Sequence, residues 1–197
     1  IIGNNTNAIL EQNALAWALT NTVTARTQNK AGENSYADVL RFKLYQVYDV
    51  NEAKRSITDS ADSRRPMSDL GIELDVRPHP YLSFAARNKY SVYQGWREMN
   101  YDLSLSDWRG DELTFGYRYT LDSIEAINLD LKAVVTEQLK ARLIVRMDLQ
   151  NDQAIENTVG LTYSEQCWSV GADYTRTHDD ERIVFKISLT GLGSLGF

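Results

Sequence analysis

The sequence predicts an all-β fold: a transmembrane, antiparallel, up-and-down β-barrel of which about 11–12 strands are present. Three observations lead to this prediction. Apolar and polar residues alternate over many successive stretches, as they do in strands with one apolar and one polar face. Most stretches are about ten residues long, closer to a tilted membrane strand than to a soluble one. Short turn segments separate them, which indicates a meander.

Composition narrows the class of protein further. The 197 residues carry a net charge of −6, and no basic stripe is present, which excludes nucleic acid as a partner. No apolar run approaches the roughly 20 residues of a membrane helix, whereas barrel strands keep their apolar face within the alternation. The 11 tyrosines and 4 tryptophans suit strands and membrane interfaces.

Five strands are predicted in the N-terminal half of the chain. Residues 14–27 fit a strand better than a helix because β-branched residues are frequent there. The charged, non-periodic segment 51–66 predicts a long surface loop. Pro78 and Pro80 end the strand before them, since proline cannot donate to a sheet. The five predicted strands cover 14–27, 36–50, 70–77, 81–92 and 99–106.

Six more strands are predicted in the C-terminal half. Their alternation is clearest near the end, where Phe185, Ile187 and Leu189 oppose Lys186 and Ser188. A glycine-rich tail follows the last of them. The six predicted strands cover 113–120, 127–135, 140–149, 155–163, 168–175 and 185–190.

Periodicity alone does not say whether the apolar face meets lipid or a soluble core. A soluble β-sandwich or a lipocalin-like barrel that binds an apolar ligand is the main alternative, and a passive porin-type channel is another. Three features favour lipid: the strand lengths, the aromatic residues near strand ends, and charges in the middle of the polar faces. The mid-strand cations are predicted to face a hydrated lumen; they are Arg118, Lys132, Arg142 and Arg146.

The strand count gives each connection a side of the membrane. Both ends of a bacterial barrel normally lie in the periplasm. Counting back from the last strand makes 51–66 an extracellular loop and puts Cys167 at the periplasmic end. The eleven predicted strands are an odd number. We therefore expect either a further strand within residues 1–12 or a chain, forming one β-barrel domain over 1–197, that is the C-terminal part of a larger barrel.

Four segments of the sequence resemble a known family. They are LTNTVTAR (19–26), RPMSDLGIELDVRPHPYLS (65–83), QCWSV (166–170) and FKISLTGLGSLG (185–196). Together they resemble the C-terminal barrel of the LptD family, also called OstA or Imp, which assembles lipopolysaccharide in the bacterial outer membrane. The Cys-Trp pair and the GLGSLG tail are the most specific of these matches.

The resemblance implies a function and a set of partners. Lipopolysaccharide would reach the outer leaflet through a lateral gate between the first and last strands of the complete barrel. The implied partners are lipopolysaccharide, an LptE-like lipoprotein plug, a periplasmic LptA-type bridge and the BAM machinery for insertion. The C-terminal wall of the gate would include Arg182, Val184, Phe185, Lys186, Ile187, Leu189 and Gly191.

The remaining candidate residues give weaker evidence for a functional site. Cys167 has no second cysteine in the chain, so a disulfide to another domain is one reading and a free thiol is the other. His178 to Glu181 are consecutive turn residues, which indicates a solvated loop rather than a metal site. No serine lies in a recognisable nucleophile motif, so we expect neither catalysis nor a cofactor. The four lumen cations would guide anionic sugars, although Asp102, Asp130, Asp148 and Asp173 balance them.

Overall fold

A computed structural model of the protein contains one antiparallel sheet of twelve strands, whose order in space follows their order in the chain. The structure describes residues 13–28, 32–57, 59, 62–189 and 193–196. Within these ranges the sheet is open, with its first and last strands at the two edges. The predicted all-β, antiparallel, up-and-down fold is confirmed.

All eleven strands predicted from the alternation are present. They are β1 Ala14–Gln28, β2 Asn34–Asp49, β3 Leu70–His79, β4 Leu82–Ser91, β5 Gly95–Ser106, β6 Glu112–Thr120, β7 Ile124–Val134, β8 Leu139–Asp148, β9 Gln153–Ser164, β10 Trp168–Thr177 and β11 Glu181–Leu189. A short twelfth strand, β12 (Gly193–Gly196), pairs with β11. The described strands therefore number twelve, and the further strand expected within residues 1–12 lies outside the described residues.

The antiparallel order sorts the connections between two ends of the sheet. The turn end carries the short connections 80–81, 107–111, 135–138 and 165–167. The loop end carries the long connection 50–69 and the turns 92–94, 121–123, 149–152 and 178–180. The prediction placed Cys167 and the 51–66 loop on opposite sides, and they do lie at opposite ends of the sheet.

The connection 50–69 contains the one element that the periodicity missed. Helix α1 (Val50–Lys54) has five residues, too few for an amphipathic pattern to be visible. Asp49 caps it, because its side chain accepts hydrogen bonds from the backbone nitrogens of Asn51 at 2.8 Å and Glu52 at 3.0 Å. Among the described residues, no helix is long and apolar enough to cross a bilayer.

The strand register joins the apolar side chains into one continuous face. One row runs from Leu103 through Phe115 and Leu129 to Val145, each residue directly opposite the next on the neighbouring strand. Within the described part of the chain no second layer covers this face, and Phe115 is 37% exposed. A large uncovered apolar surface needs an apolar environment.

The opposite face is polar, with one buried exception. Ile144 lies on the polar face between Asp130 and Thr158, the residues directly opposite it on β7 and β9. The residue is only 5% exposed. The alternation of β8 therefore has an apolar residue on its polar face, which the sequence pattern did not distinguish.

A β-bulge keeps another charged residue on the polar face. The register between β1 and β2 passes from the pair Val23 and Leu40 to the pair Thr24 and Asp38, leaving Val39 without a partner. An extra residue reverses the alternation of the strand that contains it. Asp38 therefore lies beside Thr24, whose hydroxyl donates to the Asp38 carboxylate at 2.7 Å.

Candidate functional site

The polar face carries a series of ion pairs that run across neighbouring strands. All four cations predicted to line a lumen lie on this face, and each has a carboxylate partner. The pairs are Arg118–Asp102 at 2.5 Å, Lys132–Glu112 at 2.6 Å, Arg142–Asp130 at 3.1 Å and Arg146–Glu156 at 2.5 Å. The cations are therefore balanced locally, as the alternative of a generic hydrated lumen predicts.

The partners are arranged to separate like charges. Lys132 and Arg142 are directly opposite each other on β7 and β8, which alone would be repulsive. Glu112 on β6 accepts from Lys132, and Asp130, two residues before Lys132 on β7, accepts from Arg142. The cation side chains of these two pairs are 54% and 45% exposed, so each pair contributes little to folding stability. Their main effect is to make the face hydrated and close to neutral.

A shallow groove crosses the middle of this face. Its volume is about 190 Å³, and its polar lining includes Asp102, Arg118, Asn128 and Arg146. Gly116 lies within the groove, and its missing side chain leaves room between the two neighbouring strands. A lining of carboxylate, amide and guanidinium groups can form hydrogen bonds with water or with sugar hydroxyls.

The predicted gate residues lie on β11, next to the C-terminal edge of the sheet. Phe185, Ile187 and Leu189 belong to the apolar face and are 56%, 45% and 46% exposed. Arg182, Val184 and Lys186 belong to the polar face, where Lys186 pairs with Asp173 at 2.5 Å. The four residues of β12 cover β11 only from Lys186 to Leu189. Gly191 lies outside the described residues.

Comparison with known families adds a second, independent observation. Residues 4–150 match the family model LptD, described as LPS transport system D. The chain belongs to the LptD family. The match includes β1 to β8 and therefore most of the ion-paired polar face. No curated protein matches the chain.

The family match separates the resembling segments into two groups. Segments 19–26 and 65–83 lie inside the range matched to LptD, whereas 166–170 and 185–196 lie beyond it. LPS here means lipopolysaccharide, so the chain is a component of a lipopolysaccharide-transport family. The roles of Cys167 and of β11 in this LptD-family chain remain predictions.

Cys167 lies in the turn between β9 and β10 and is exposed. The turn is closed by a hydrogen bond from the backbone nitrogen of Glu165 to the carbonyl of Trp168, at 2.8 Å. The rings of Tyr163 and Trp168 lie 5.7 Å apart beside it, on the apolar face at the turn end. The thiol is thus accessible from outside the sheet, as an interdomain disulfide requires.

Both histidines are exposed, but only His178 lies in a turn, because His79 is the last residue of β3. His178 Nε2 is 3.7 Å from the Asp179 carboxylate, and the Asp179 side chain is 92% exposed. His79 lies next to the ring of Tyr81, with ring centroids 4.9 Å apart. Across the described ranges, no three His, Cys, Asp or Glu side chains are placed to hold a metal ion.

The connection 50–69 contains an ion-pair network that the sequence pattern did not predict. The Arg55 guanidinium lies between two carboxylates, 2.8 Å from Glu52 and 2.5 Å from Asp62. The backbone nitrogen of Arg65 also donates to Glu52, at 3.1 Å. Hydrogen bonds from Arg55 lower the pKa values of both carboxyl groups. The many charges suggested only an irregular loop. The pairing of Arg55 with Asp62 could not be predicted, because a separation of seven residues has no characteristic meaning in a loop.

This network makes the structure of the loop dependent on pH. Carboxyl groups with a depressed folded-state pKa stabilise the fold above their unfolded pKa of about 4, and that stabilisation is lost as pH falls through the folded pKa. We expect hydrogen exchange at 50–67, corrected for intrinsic rates, to increase below about pH 4. Arg55→Gln should show fast exchange already at pH 7. Lys54→Gln is the control, and equal exchange in the two variants would contradict the role given to Arg55.

Proposed function

We propose that the chain forms part of the wall of an outer-membrane β-barrel that delivers lipopolysaccharide to the outer leaflet. The observation that carries the proposal is the two-sided sheet: an uncovered apolar face opposite a hydrated, ion-paired face, in a member of the LptD family. Lipopolysaccharide has acyl chains and charged sugars. At an edge of the sheet, the apolar face can contact the acyl chains while the polar face contacts the sugars, so the edge can guide such a molecule.

In the proposed barrel, each face and each end of the sheet has its own environment. The apolar face contacts lipid, and the polar face lines a lumen that sugars cross. The turn end is periplasmic, and the connection 50–69 is extracellular. Other strands complete the barrel, with an LptE-like lipoprotein in the lumen, an LptA-type bridge delivering the substrate and the BAM machinery inserting the wall. A disulfide at Cys167 would tie the turn end to a periplasmic domain.

Lateral release is assigned to the C-terminal edge. A gate has to open without unfolding the sheet, so its seam must be held by few backbone hydrogen bonds. The short pairing of β12 with β11 supports this assignment, because only the segment from Lys186 to Leu189 is covered on that side within the described ranges. The apolar side chains of Phe185 and Ile187 would then meet the acyl chains as they leave.

Photo-crosslinking in living cells tests this proposal. A photoreactive residue at 185 or 187 in the full-length protein should capture newly made, pulse-labelled lipopolysaccharide. The matched control is position 115, which lies on the same apolar face in the middle of the sheet. Adducts at 185 should appear first and should disappear when transport is stopped. Simultaneous capture at 185 and 115 would count against a gate at β11.

A further inference from the structure

One group of side chains on the polar face contains more arginines than carboxylates. Arg41, Arg77 and Arg87 surround a single carboxylate, that of Asp75. Arg41 is directly opposite Asp75 on the neighbouring strand β2. Arg87 binds Asp75 from β4 at 2.7 Å. Arg77 follows Asp75 by two residues on β3, so both side chains project from the same face. We call these four residues the Asp75 arginine cluster.

Two further carboxylates adjoin this cluster, and each has a partner outside it. The nearest acid on the loop side is Glu73, which already faces Lys43 at 3.9 Å. On the other side, the Asp38 carboxylate accepts the Thr24 hydroxyl. Within the described part of the chain, neither Arg41 nor Arg77 forms an ion pair.

The residues facing the cluster from β4 add no charge to it. Ala85 lies directly opposite Asp75, and Ser83 follows it towards the turn end. Lys89, on the other side of Arg87, is paired with Glu98 at 3.0 Å. Three arginines and one aspartate give the cluster a net charge of +2, in a chain whose net charge is −6.

The three arginines have different freedom to bind a ligand. Arg87 is held in place, since its Nη1 donates to the carbonyl oxygens of Leu74 at 3.1 Å and Ala86 at 2.9 Å. Arg41 and Arg77 are exposed. Arg41 and Arg77 are diagonal neighbours on β2 and β3, a spacing of about 7–8 Å that long side chains can span, so both guanidinium groups can approach one anion.

We propose that the Asp75 arginine cluster is an anion site that takes a phosphate group carried on a sugar. Planar guanidinium groups bind phosphate oxygens through paired N–H donors, and two exposed arginines beside a fixed third can approach one phosphate from different sides. Arg77 lies in the half of β3 nearer to the turn end. On the proposed function, from which this part of the inference derives, that end receives lipopolysaccharide, so the cluster would be a cationic contact for it in the turn-end half of the lumen.

Titration calorimetry on the full-length protein purified in detergent tests the site. The probes are pyrophosphate, a phosphorylated oligosaccharide released from lipopolysaccharide, and the same oligosaccharide after phosphatase treatment. The double variant Arg41→Gln/Arg77→Gln should weaken pyrophosphate binding about tenfold at low salt, and less at high salt, because screening reduces the contribution of exposed charges. Arg41→Lys/Arg77→Lys keeps the charge but loses the paired N–H donors, so its affinity should lie between those of the wild type and of the double glutamine variant.

The control removes the same charge elsewhere. Lys54→Gln/Lys140→Gln deletes two cations that form no ion pair within the described ranges, one in the loop and one on the polar face. Heat-modifiable gel mobility confirms that each variant is folded. Unchanged pyrophosphate binding in Arg41→Gln/Arg77→Gln, or an equal loss in the control, would overturn the site.

The oligosaccharide arms separate the source of the phosphate from the proposed function. Tighter binding of the phosphorylated oligosaccharide than of its phosphatase-treated form supports a sugar phosphate as ligand. Equal binding of the two forms would overturn that identification. Failure of the proposed function gives a different result, in which lipopolysaccharide is not captured in cells although pyrophosphate still binds to the cluster.

Discussion

Phe115→Arg is expected to block assembly of the protein in the outer membrane, whereas Thr114→Arg, one residue away, is expected to be tolerated. Phe115 lies in the apolar row between Leu103 and Leu129, in the middle of the sheet. An arginine facing lipid near the bilayer midplane costs about 2–4 kcal/mol. Thr114 points to the polar face, directly opposite Asp130, where an added cation meets an acid.

Two measurements check this pair of variants. In cells, Phe115→Arg should be depleted from the outer-membrane fraction and degraded, while Thr114→Arg should reach wild-type levels. In reconstituted bilayers, urea titration should give a free energy of unfolding lower by about 2–4 kcal/mol for Phe115→Arg. Equal assembly and equal unfolding free energies would show that the apolar face does not meet lipid.

The second large effect is expected at Gly71. Gly71 is buried and directly opposite Tyr45, whose ring crosses the strand at the position of the missing side chain. A Cβ atom added at residue 71 would lie 2.5 Å from the Cε1 and Cε2 atoms of Tyr45, so Gly71→Ala requires the ring to move. Overpacking of this kind costs about 1–3 kcal/mol, and we expect that loss in the free energy of unfolding.

Gly116→Ala provides the matched control. Gly116 is also buried on the polar face, but an added Cβ would meet its nearest neighbour, the Asp102 carboxylate, at 3.6 Å. Its unfolding midpoint in urea should stay close to the wild-type value. In a Tyr45→Ala background the cost of Gly71→Ala should shrink, because the ring is gone. A cost that is the same with and without Tyr45 would refute the contact as its cause.

Much of the fold could be predicted because strands with one apolar and one polar face show a period of two in the sequence. Gly and Asp in the connections also marked strand ends, whereas the prediction that Pro78 ends the third strand was wrong, because β3 continues through Pro78 to His79. Helix α1 was missed because five residues contain no helical period, and β12 because its definition comes from pairing with β11 rather than from its own composition. The bulge at Val39 depends on the register between two strands, which no single segment encodes.

The site was predictable in kind rather than in detail. Alternation identified which cations lie on the polar face, including Arg118 and Arg146. It did not identify their partners, since the pairing of Arg146 with Glu156 depends on the register between β8 and β9. The excess of arginine around Asp75 could not be predicted either, because it also depends on the register between strands. Its members come from three strands, and only the register shows that three arginines lie around one carboxylate.

The order of the strands also determines how the sheet can fold and how it can open locally. Each described strand pairs only with its neighbours in the chain, so contacts form between segments that are close in sequence. Such a sheet is effectively a one-dimensional array, in which hairpins can be added one after another without a distant partner. A disturbance in one strand then reaches its two neighbours first. The last strand of the array can detach and rejoin while the remaining sheet stays folded.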